Sequence, residues 1–298
     1  MKLFYFILSF VLLAACKPDN HVNEAEFQDS LDSLNRAVPV IDEKAVASIL
    51  EQIPSPLEIS MLLKKADAKY NSSILNAPSN IGKYNSQFKK AINLGIYGAD
   101  LGYTNIYGEN VESIRYLSSI KSLANDLNIG QFFDIQTISK LASNSNNLDS
   151  MLLVTTQNFN AINQYLQNQN RANLSLLFLI GGWVEAMGIL CEVAAQTPGQ
   201  HELIEGIGQQ KIVFEQLILL LTLYKDDPNM ASLVEDFQEL KKIFDGISII
   251  YTYKESSMEV VDGVVLIKDN STTTISITEK DALDIKNRIN SIRTKITA

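Results

Sequence analysis

The stretch that decides the fold reads LSLLFLIGGWVEAMGILCEVAA and spans residues 174–195. It is apolar nearly all round, which is typical of a helix enclosed by other elements. The stretch is also almost long enough to cross a lipid bilayer. However, its 22 residues include two glutamates and three glycines, and charged side chains are expensive in hydrocarbon. We therefore interpret it as the core helix, near 172–196, of a bundle that packs in water.

This core helix places an acid at a close helix contact. Steps of 100° per residue put Gly181, Glu185 and Gly188 on one face. A buried carboxylate without a partner costs several kcal/mol or takes up a proton, so Glu185 should have a partner. The candidate partners are Arg115, Arg171 and a tyrosine hydroxyl. The sequence leaves open whether Glu185 forms a structural pair or acts in a cleft beside Trp183.

A second helix, near 81–107, also carries an acid among apolar residues. One of its faces holds Ala91, Gly95, Gly98 and Gly102, a pattern that favours a close helix crossing. Candidate binding or buried polar residues elsewhere on this helix are Tyr97, Asp100, Tyr103 and Tyr107. Phenol rings stack on ligands and a carboxylate can orient them. The alternative is that Asp100 belongs to a buried polar cluster or meets solvent.

The remainder of the chain after residue 38 follows a helical period with short breaks. Further helices are predicted near 42–52, 56–76, 110–127, 132–143, 147–169, 200–225 and 229–246. The breaks contain Pro, Gly or Asn, and short connections make neighbouring helices antiparallel. The predicted fold class is therefore mainly α: an antiparallel helical bundle with a small C-terminal β-hairpin and a terminal helix. Residues 38–298 are expected to form a single domain.

The C-terminal part changes character. Residues 258–267 and 272–277 are rich in β-branched side chains, which predicts a hairpin over 258–277 with its connection at 268–271. A helix over 279–297 should follow, because Thr278 and Asp281 have the spacing of a capping box. Its buried stripe is expected to be Ile285, Ile289, Ile292 and Ile296. Residues 247–253 fit either a strand or a continuing helix.

The first residues indicate export. Lys2 precedes an apolar run over 3–13 that is too short to span a membrane as a helix, so residues 1–15 are predicted to be a signal peptide. The sequence Leu13-Ala14-Ala15-Cys16 resembles the lipobox of bacterial lipoproteins. The resemblance implies that Cys16 carries lipid and becomes the N-terminus, with residues 16–37 as an acidic tether. The alternative is an ordinary signal peptide with a chance cysteine.

Charge and motifs exclude several classes of function. The formal net charge is −9 and the lysines form no basic stripe, so a nucleic-acid partner is not expected. His201 and Glu202 begin a run similar to the zinc-binding helix of metalloproteases, but Glu205 stands where the second histidine is needed. We expect no metal, no cofactor and no catalytic residue.

Four short runs resemble a known group of proteins. They are Ile53-Pro54-Ser55-Pro56, Leu94-Gly95-Ile96-Tyr97-Gly98-Ala99-Asp100-Leu101, Gly181-Gly182-Trp183-Val184-Glu185 and Thr273-Thr274-Ile275-Ser276-Ile277. Together they resemble uncharacterised, mostly α-helical lipoproteins of Bacteroidota. The resemblance implies an envelope lipoprotein and a helical fold, but no activity. Lys17-Pro18-Asp19-Asn20 is partly similar to surface-export signals of such lipoproteins, which leaves the membrane leaflet open.

The expected function is that of an outer-membrane lipoprotein, anchored at Cys16, that acts as a non-catalytic binding or assembly module of the cell envelope. Its partners would be the membrane, through the lipid, and an envelope protein. One alternative is an envelope hydrolase that uses Asp100 and Glu185 as acid and base. Another is a glycan or lipid carrier with an apolar pocket near Trp183.

Replacing the lipidated cysteine tests the anchor. Cys16→Ala should move the protein from the membrane fraction to the soluble fraction, because two or more acyl chains make membrane attachment stable and the variant cannot receive them. Cell fractionation and labelling with radioactive palmitate measure this change. Label that still enters the variant would refute the assignment of Cys16.

Overall fold

A computed structural model describes residues 49–50, 53, 57–133, 148–197, 199, 201–261 and 264–298. Within these residues the chain is mainly helical, as predicted, and Asp42–Ala298 form one compact unit. The helices are α1 Leu57–Lys65, α2 Gln87–Ile106, α3 Asn110–Asp126, α4 Leu148–Asn168, α5 Ala172–Gln196, α6 His201–Gln209, α7 Lys211–Thr222, α8 Ala231–Phe244 and α9 Glu279–Thr297. The signal peptide, Cys16 and the tether lie outside the described residues, as do most of the helices predicted near 42–52 and over 132–143; residues 49–50 of the former are helical.

The helix predicted over 56–76 is shorter than expected. α1 ends at Lys65 because Asp67 adopts a positive φ of 52° and the Ala68 N–H bonds back to the Leu63 carbonyl, the geometry of a Schellman stop. Residues 66–84, which we call the strap, instead contain two short 3₁₀ turns, Ser72–Ile74 and Pro78–Lys83. Ser86 then caps α2 by accepting the Lys89 N–H at 3.1 Å.

The helix predicted over 200–225 is interrupted. It divides at Gln210 into α6 and α7. Two glycines in the last turn of α6 weaken the helix there, and one of them packs against the C-terminal strands: a Cβ at Gly208 would lie 2.7 Å from Ile275 Cγ2. The side chain of Gln210 accepts a hydrogen bond from Trp183 Nε1 at 3.1 Å, which ties the break to α5.

α2 and α5 cross closely, as the glycine pattern predicts. A Cβ at Gly95 would lie 1.9 Å from the Phe178 carbonyl oxygen, and a Cβ at Gly181 would lie 1.8 Å from the Ile92 carbonyl oxygen. Each helix therefore uses a glycine to accept the backbone of the other. This contact brings the two helix axes close enough for their polar side chains to meet.

α5 is the core helix of the bundle. Its length and composition would allow it to cross a membrane, but 94% of its apolar window is buried inside the protein. α2, α4, α6, α7 and α9 all contact it. Trp183 packs against three aromatic rings from α7 and α8, those of Phe214, Phe237 and Phe244. The neighbours of α5 are thus other helices along most of its length.

The pairing of the C-terminal strands differs from the predicted hairpin. β1 Ser248–Thr252 pairs antiparallel with β4 Thr272–Ser276, and β2 Ser257–Val261 pairs antiparallel with β3 Val264–Lys268. A connection does lie between Lys268 and Thr272, but the strands on its two sides pair with β2 and β1 rather than with each other, because residues 258–267 supply two strands separated by Asp262-Gly263. Residues 248–252, which the sequence left open, form the partner strand of β4. We call β1 to β4 together the ribbon.

The last helix agrees with the prediction. The Thr278 side chain accepts the Asp281 N–H, and the Asp281 side chain accepts the Thr278 N–H, which completes the capping box. The predicted stripe is buried along its whole length: Ile285, Ile289, Ile292 and Ile296. This stripe directs α9 onto the bundle, and α9 contacts α5 and α8.

The glycine crossing predicts an unequal response to alanine. Gly95→Ala or Gly181→Ala should lower the free energy of unfolding by at least about 2 kcal/mol, because the new methyl group overlaps backbone atoms that cannot move alone. The control is Gly82→Ala, where a Cβ would meet nothing within 4 Å. Urea unfolding of the three variants gives the comparison. Equal stability of all three would contradict the close crossing.

Candidate functional site

The partner of Glu185 is Arg293, from the C-terminal helix. Arg293 Nε donates to Glu185 Oε2 at 2.5 Å, and Arg293 Nη2 donates to Glu185 Oε1 at 2.5 Å. Glu185 is fully buried, so this bidentate pair compensates a charge that water cannot reach. Arg293 Nη2 also donates to the carbonyl of Ile74, in the strap, at 2.8 Å. One arginine therefore joins α5, α9 and the strap.

The two arginines expected as partners of Glu185 were wrong. Arg115 lies on the surface, where it pairs with Glu112 at 3.1 Å, and Arg171 Nη2 is buried without a hydrogen-bond partner. The available sequence signal was the position of Arg293 beside the buried stripe of α9. That signal does not indicate which residue of α5 pairs with Arg293, because 108 positions separate Arg293 from Glu185 in the sequence.

Asp100 lies in the same enclosed region. It is fully buried, and the groups that act on its carboxyl are the Glu185 carboxylate, the Arg293 guanidinium and the backbone of Asn76. Burial, followed by the neighbouring Glu185 carboxylate, raises the pKa of Asp100 well above its usual range, and Arg293 opposes this shift only in part. A protonated Asp100 can donate to Glu185, whereas two facing carboxylates would only repel. Asp100 is thus the neutral member of the group.

Two tyrosines of α2, together with Tyr107 directly after it, hold the strap. The Tyr97 hydroxyl donates to the Ala77 carbonyl at 3.0 Å, and the Tyr107 hydroxyl donates to the Ala68 carbonyl at 2.7 Å. The Tyr103 hydroxyl accepts the Asn71 N–H at 3.1 Å. Burial is the main cause that raises the pKa of each of these phenols, that of Tyr107 to about 12, so they remain neutral donors. These phenol groups bind backbone of the chain itself.

Trp183 lies apart from this polar group and is also buried. A cavity of about 210 Å³ opens elsewhere, between the start of α2, the start of α5 and the connection of α7 to α8. Ser86, Asn173 and Asp227 are among the residues that line it, and none of the candidate residues of α2 and α5 does so. The geometry therefore gives Trp183 a packing role among aromatic rings.

Other basic residues of α9 repeat the pairing of Arg293. Arg288 Nη2 lies 2.9 Å and Lys295 Nζ 2.6 Å from Asp236 Oδ1 on α8, and Asp236 is buried. Lys286 Nζ lies 2.9 Å from Glu192 Oε2 on α5. α9 thus offers an apolar stripe to the core and cations to the acids of its neighbours. These pairs join residues far apart in the sequence and were not predicted.

The enclosed group of Asp100, Glu185 and Arg293 has the parts of an acid and base pair but no path to solvent through the described residues. Both acids have an exposed fraction of 0%. In the described part of the chain, no three His, Cys, Asp or Glu side chains are grouped so that they could hold a metal ion. What the group does in this geometry is fix α2, α5, α9 and the strap to one another.

Comparison with known proteins gives no relative. No protein-family model matches the chain, and no curated protein and no solved structure matches it.

The neutral state of Asp100 predicts a pH dependence of stability. Because the pKa of Asp100 is raised in the folded protein, its stabilising contribution is complete below about pH 4 and is lost as the pH rises towards the folded value. Asp100→Asn lacks this loss, so its stability relative to the unmodified protein should improve as the pH rises, by up to about 1.4 kcal/mol per unit. Urea unfolding between about pH 4.5 and 7.5 measures the difference.

The control for this series is Asp281→Asn. The Thr278 hydroxyl and backbone N–H lower the pKa of Asp281, so its contribution is present in full above about pH 4 and falls only below it. The stability difference for Asp281→Asn should stay constant over the same range. A constant difference for Asp100→Asn as well would show that Asp100 is ionised in the folded protein.

Proposed function

We propose that the protein is a non-catalytic binding or assembly module of the bacterial cell envelope, held at the outer membrane by a lipid on Cys16, with the ribbon as its binding surface. The observation that supports the binding role is the exposure of large apolar side chains on β1, on β2 and in the connection between these two strands. Ile250, Tyr251, Tyr253 and Met258 are 57%, 62%, 69% and 76% exposed. Four such side chains within nine residues form a contiguous part of the chain that another molecule would cover favourably.

The architecture of the ribbon supports this role. Lys254 and Glu255 separate β1 from β2, and the side chains of Ser271 and Asn270 bond to their backbone, so the two ladders form one continuous arm. The strands contact mainly each other, and β4 also packs on α6. A two-stranded arm is marginally stable alone, so a partner that adds contacts would stabilise it.

The surroundings of the acids favour binding over hydrolysis. A general acid or base must come within hydrogen-bonding distance of the substrate or of one water. Asp100 and Glu185 are enclosed by α2, α5, α9 and the strap. Arg293 binds both Glu185 and the strap, and these contacts give the acids a structural role. The hydrolase alternative would need the strap to leave its place.

The membrane anchor is proposed from the sequence. The lipobox-like run that ends at Cys16 supports it, together with the similarity of four runs to helical lipoproteins of Bacteroidota. α5 is buried in the protein core, so attachment to the membrane by lipid rather than by this helix agrees with its position. The acidic tether over 16–37 would then connect the lipid to the folded unit.

Site-specific photocrosslinking in living cells tests the binding role. A benzophenone amino acid at Tyr251 should give a discrete crosslinked protein, because this side chain would lie in the contact. The matched control is Val111 on α3, which is 68% exposed and distant in sequence from the ribbon. Immunoblots and mass spectrometry identify the products. The absence of a product specific to Tyr251 would contradict the binding role of the ribbon.

A further inference from the structure

The outer edge of β1 is an accessible strand edge. β1 and β4 form a sheet of two strands only. β4 lies against α6, where Ile275 reaches Gly208, whereas β1 has no comparable contact with a helix. Beyond its ladder with β4, the backbone of Ser248–Thr252 makes no hydrogen bond to backbone of the described residues. One row of its N–H and C=O groups is therefore available.

The sequence of β1 contains none of the features that usually prevent a strand edge from pairing with another strand. Ser248-Ile249-Ile250-Tyr251-Thr252 contains no charge and no proline, the usual devices that protect an edge strand. Its β-branched and aromatic side chains favour extended structure. Ile250 and Tyr251 point to opposite faces of the sheet and both are exposed. A strand added at this edge would form hydrogen bonds with the free N–H and C=O groups of β1 and would cover part of the Ile250 and Tyr251 side chains.

We propose that β1 pairs with β1 of a second copy of this chain, antiparallel and centred on Ile250, to give a four-stranded sheet in the order β4, β1, β1, β4. In this register Ile250 faces Ile250, Ile249 faces Tyr251, and Ser248 faces Thr252. Aromatic and β-branched pairs of this kind stabilise antiparallel sheets. The proposal rests on the binding role proposed above and does not need the lipid anchor.

Charge leaves β1 as a place where a second copy can approach without repulsion. The whole chain carries a formal net charge of −9, so most of its surface repels another copy. β1 and β4 carry no charged residue, so the contact proposed here brings no like charges opposite each other. Self-pairing also follows the two-fold symmetry that most homodimers adopt, in which the same patch serves both subunits. A five-residue edge is small, so the dimer should be reversible.

Disulfide crosslinking of the full-length protein in membranes tests the register. In Ile250→Cys, the two new cysteines would be directly opposed, with Cβ atoms about 5 Å apart, so a small change in the strands brings them within reach of a disulfide. The control is Thr274→Cys. Thr274 is exposed and pairs with Ile250 inside one copy, but in the proposed sheet the two Thr274 residues are about 14 Å apart. Cys191 is buried and common to both variants.

Under mild oxidation, the covalent dimer should form at least about fivefold more from Ile250→Cys than from Thr274→Cys, because only the former cysteines can approach. Equal amounts from both variants would overturn the proposal. If Ile250→Cys gives no dimer while the photocrosslinker at Tyr251 captures a different protein, the binding role survives and self-pairing fails. If neither reagent gives a product, both fail.

Sedimentation in detergent provides a second measurement that does not depend on thiol chemistry. Ile250→Lys places two ammonium groups opposite each other, so its dimer dissociation constant should rise at least about tenfold. Thr274→Lys adds the same charge on β4, an outer strand of the proposed sheet, and should change the constant by less than about threefold. The same dissociation constant for both variants, or a monomer at every concentration of the unmodified protein, would overturn the proposal.

Discussion

The ion pair between Glu185 and Arg293 is the interaction on which the rest of the structure depends. It joins the core helix α5 to the C-terminal helix α9, and the same guanidinium holds the strap through the Ile74 carbonyl. A carboxylate that is fully enclosed cannot be left without a cation, since the loss of one partner of a buried pair costs about 3–5 kcal/mol. The last helix of the chain is therefore required for the first helices to close around α5.

Close packing of α2 on α5 explains the state of Asp100. Gly95 and Gly181 let the two backbones approach, and this brings the Asp100 carboxyl against Glu185. Arg293 can balance only one negative charge. Asp100 therefore keeps its proton and can donate a hydrogen bond to Glu185. Tyr97 and Tyr107 complete the enclosure by donating hydrogen bonds to strap carbonyls. Residues that resemble a catalytic group from the sequence thus serve as internal connections.

Local sequence signals predicted much of the fold, and contacts between distant residues account for most of the errors. The core helix, the capped C-terminal helix and the glycine crossing follow from periodicity, caps and glycine spacing within a few turns. The end of α1 at Lys65 depends on the backbone of Asp67, and the strap depends on bonds from α2 and α9. The partner of Glu185 lies 108 positions away. The pair Asp262-Gly263 is typical of a hairpin turn, but the β-branched residues on both sides of it made 258–267 resemble one continuous strand.

A double-mutant cycle between Glu185 and Arg293 measures how strongly this pair stabilises the fold. Glu185→Leu and Arg293→Met should each lower the free energy of unfolding by about 3–5 kcal/mol, because each leaves a buried charge unpaired. The double variant should be at least about 2 kcal/mol more stable than the sum of the two losses predicts. The exposed pair Glu112 and Arg115 provides the control, with a coupling below about 1 kcal/mol. Additive losses at Glu185 and Arg293 would contradict the account.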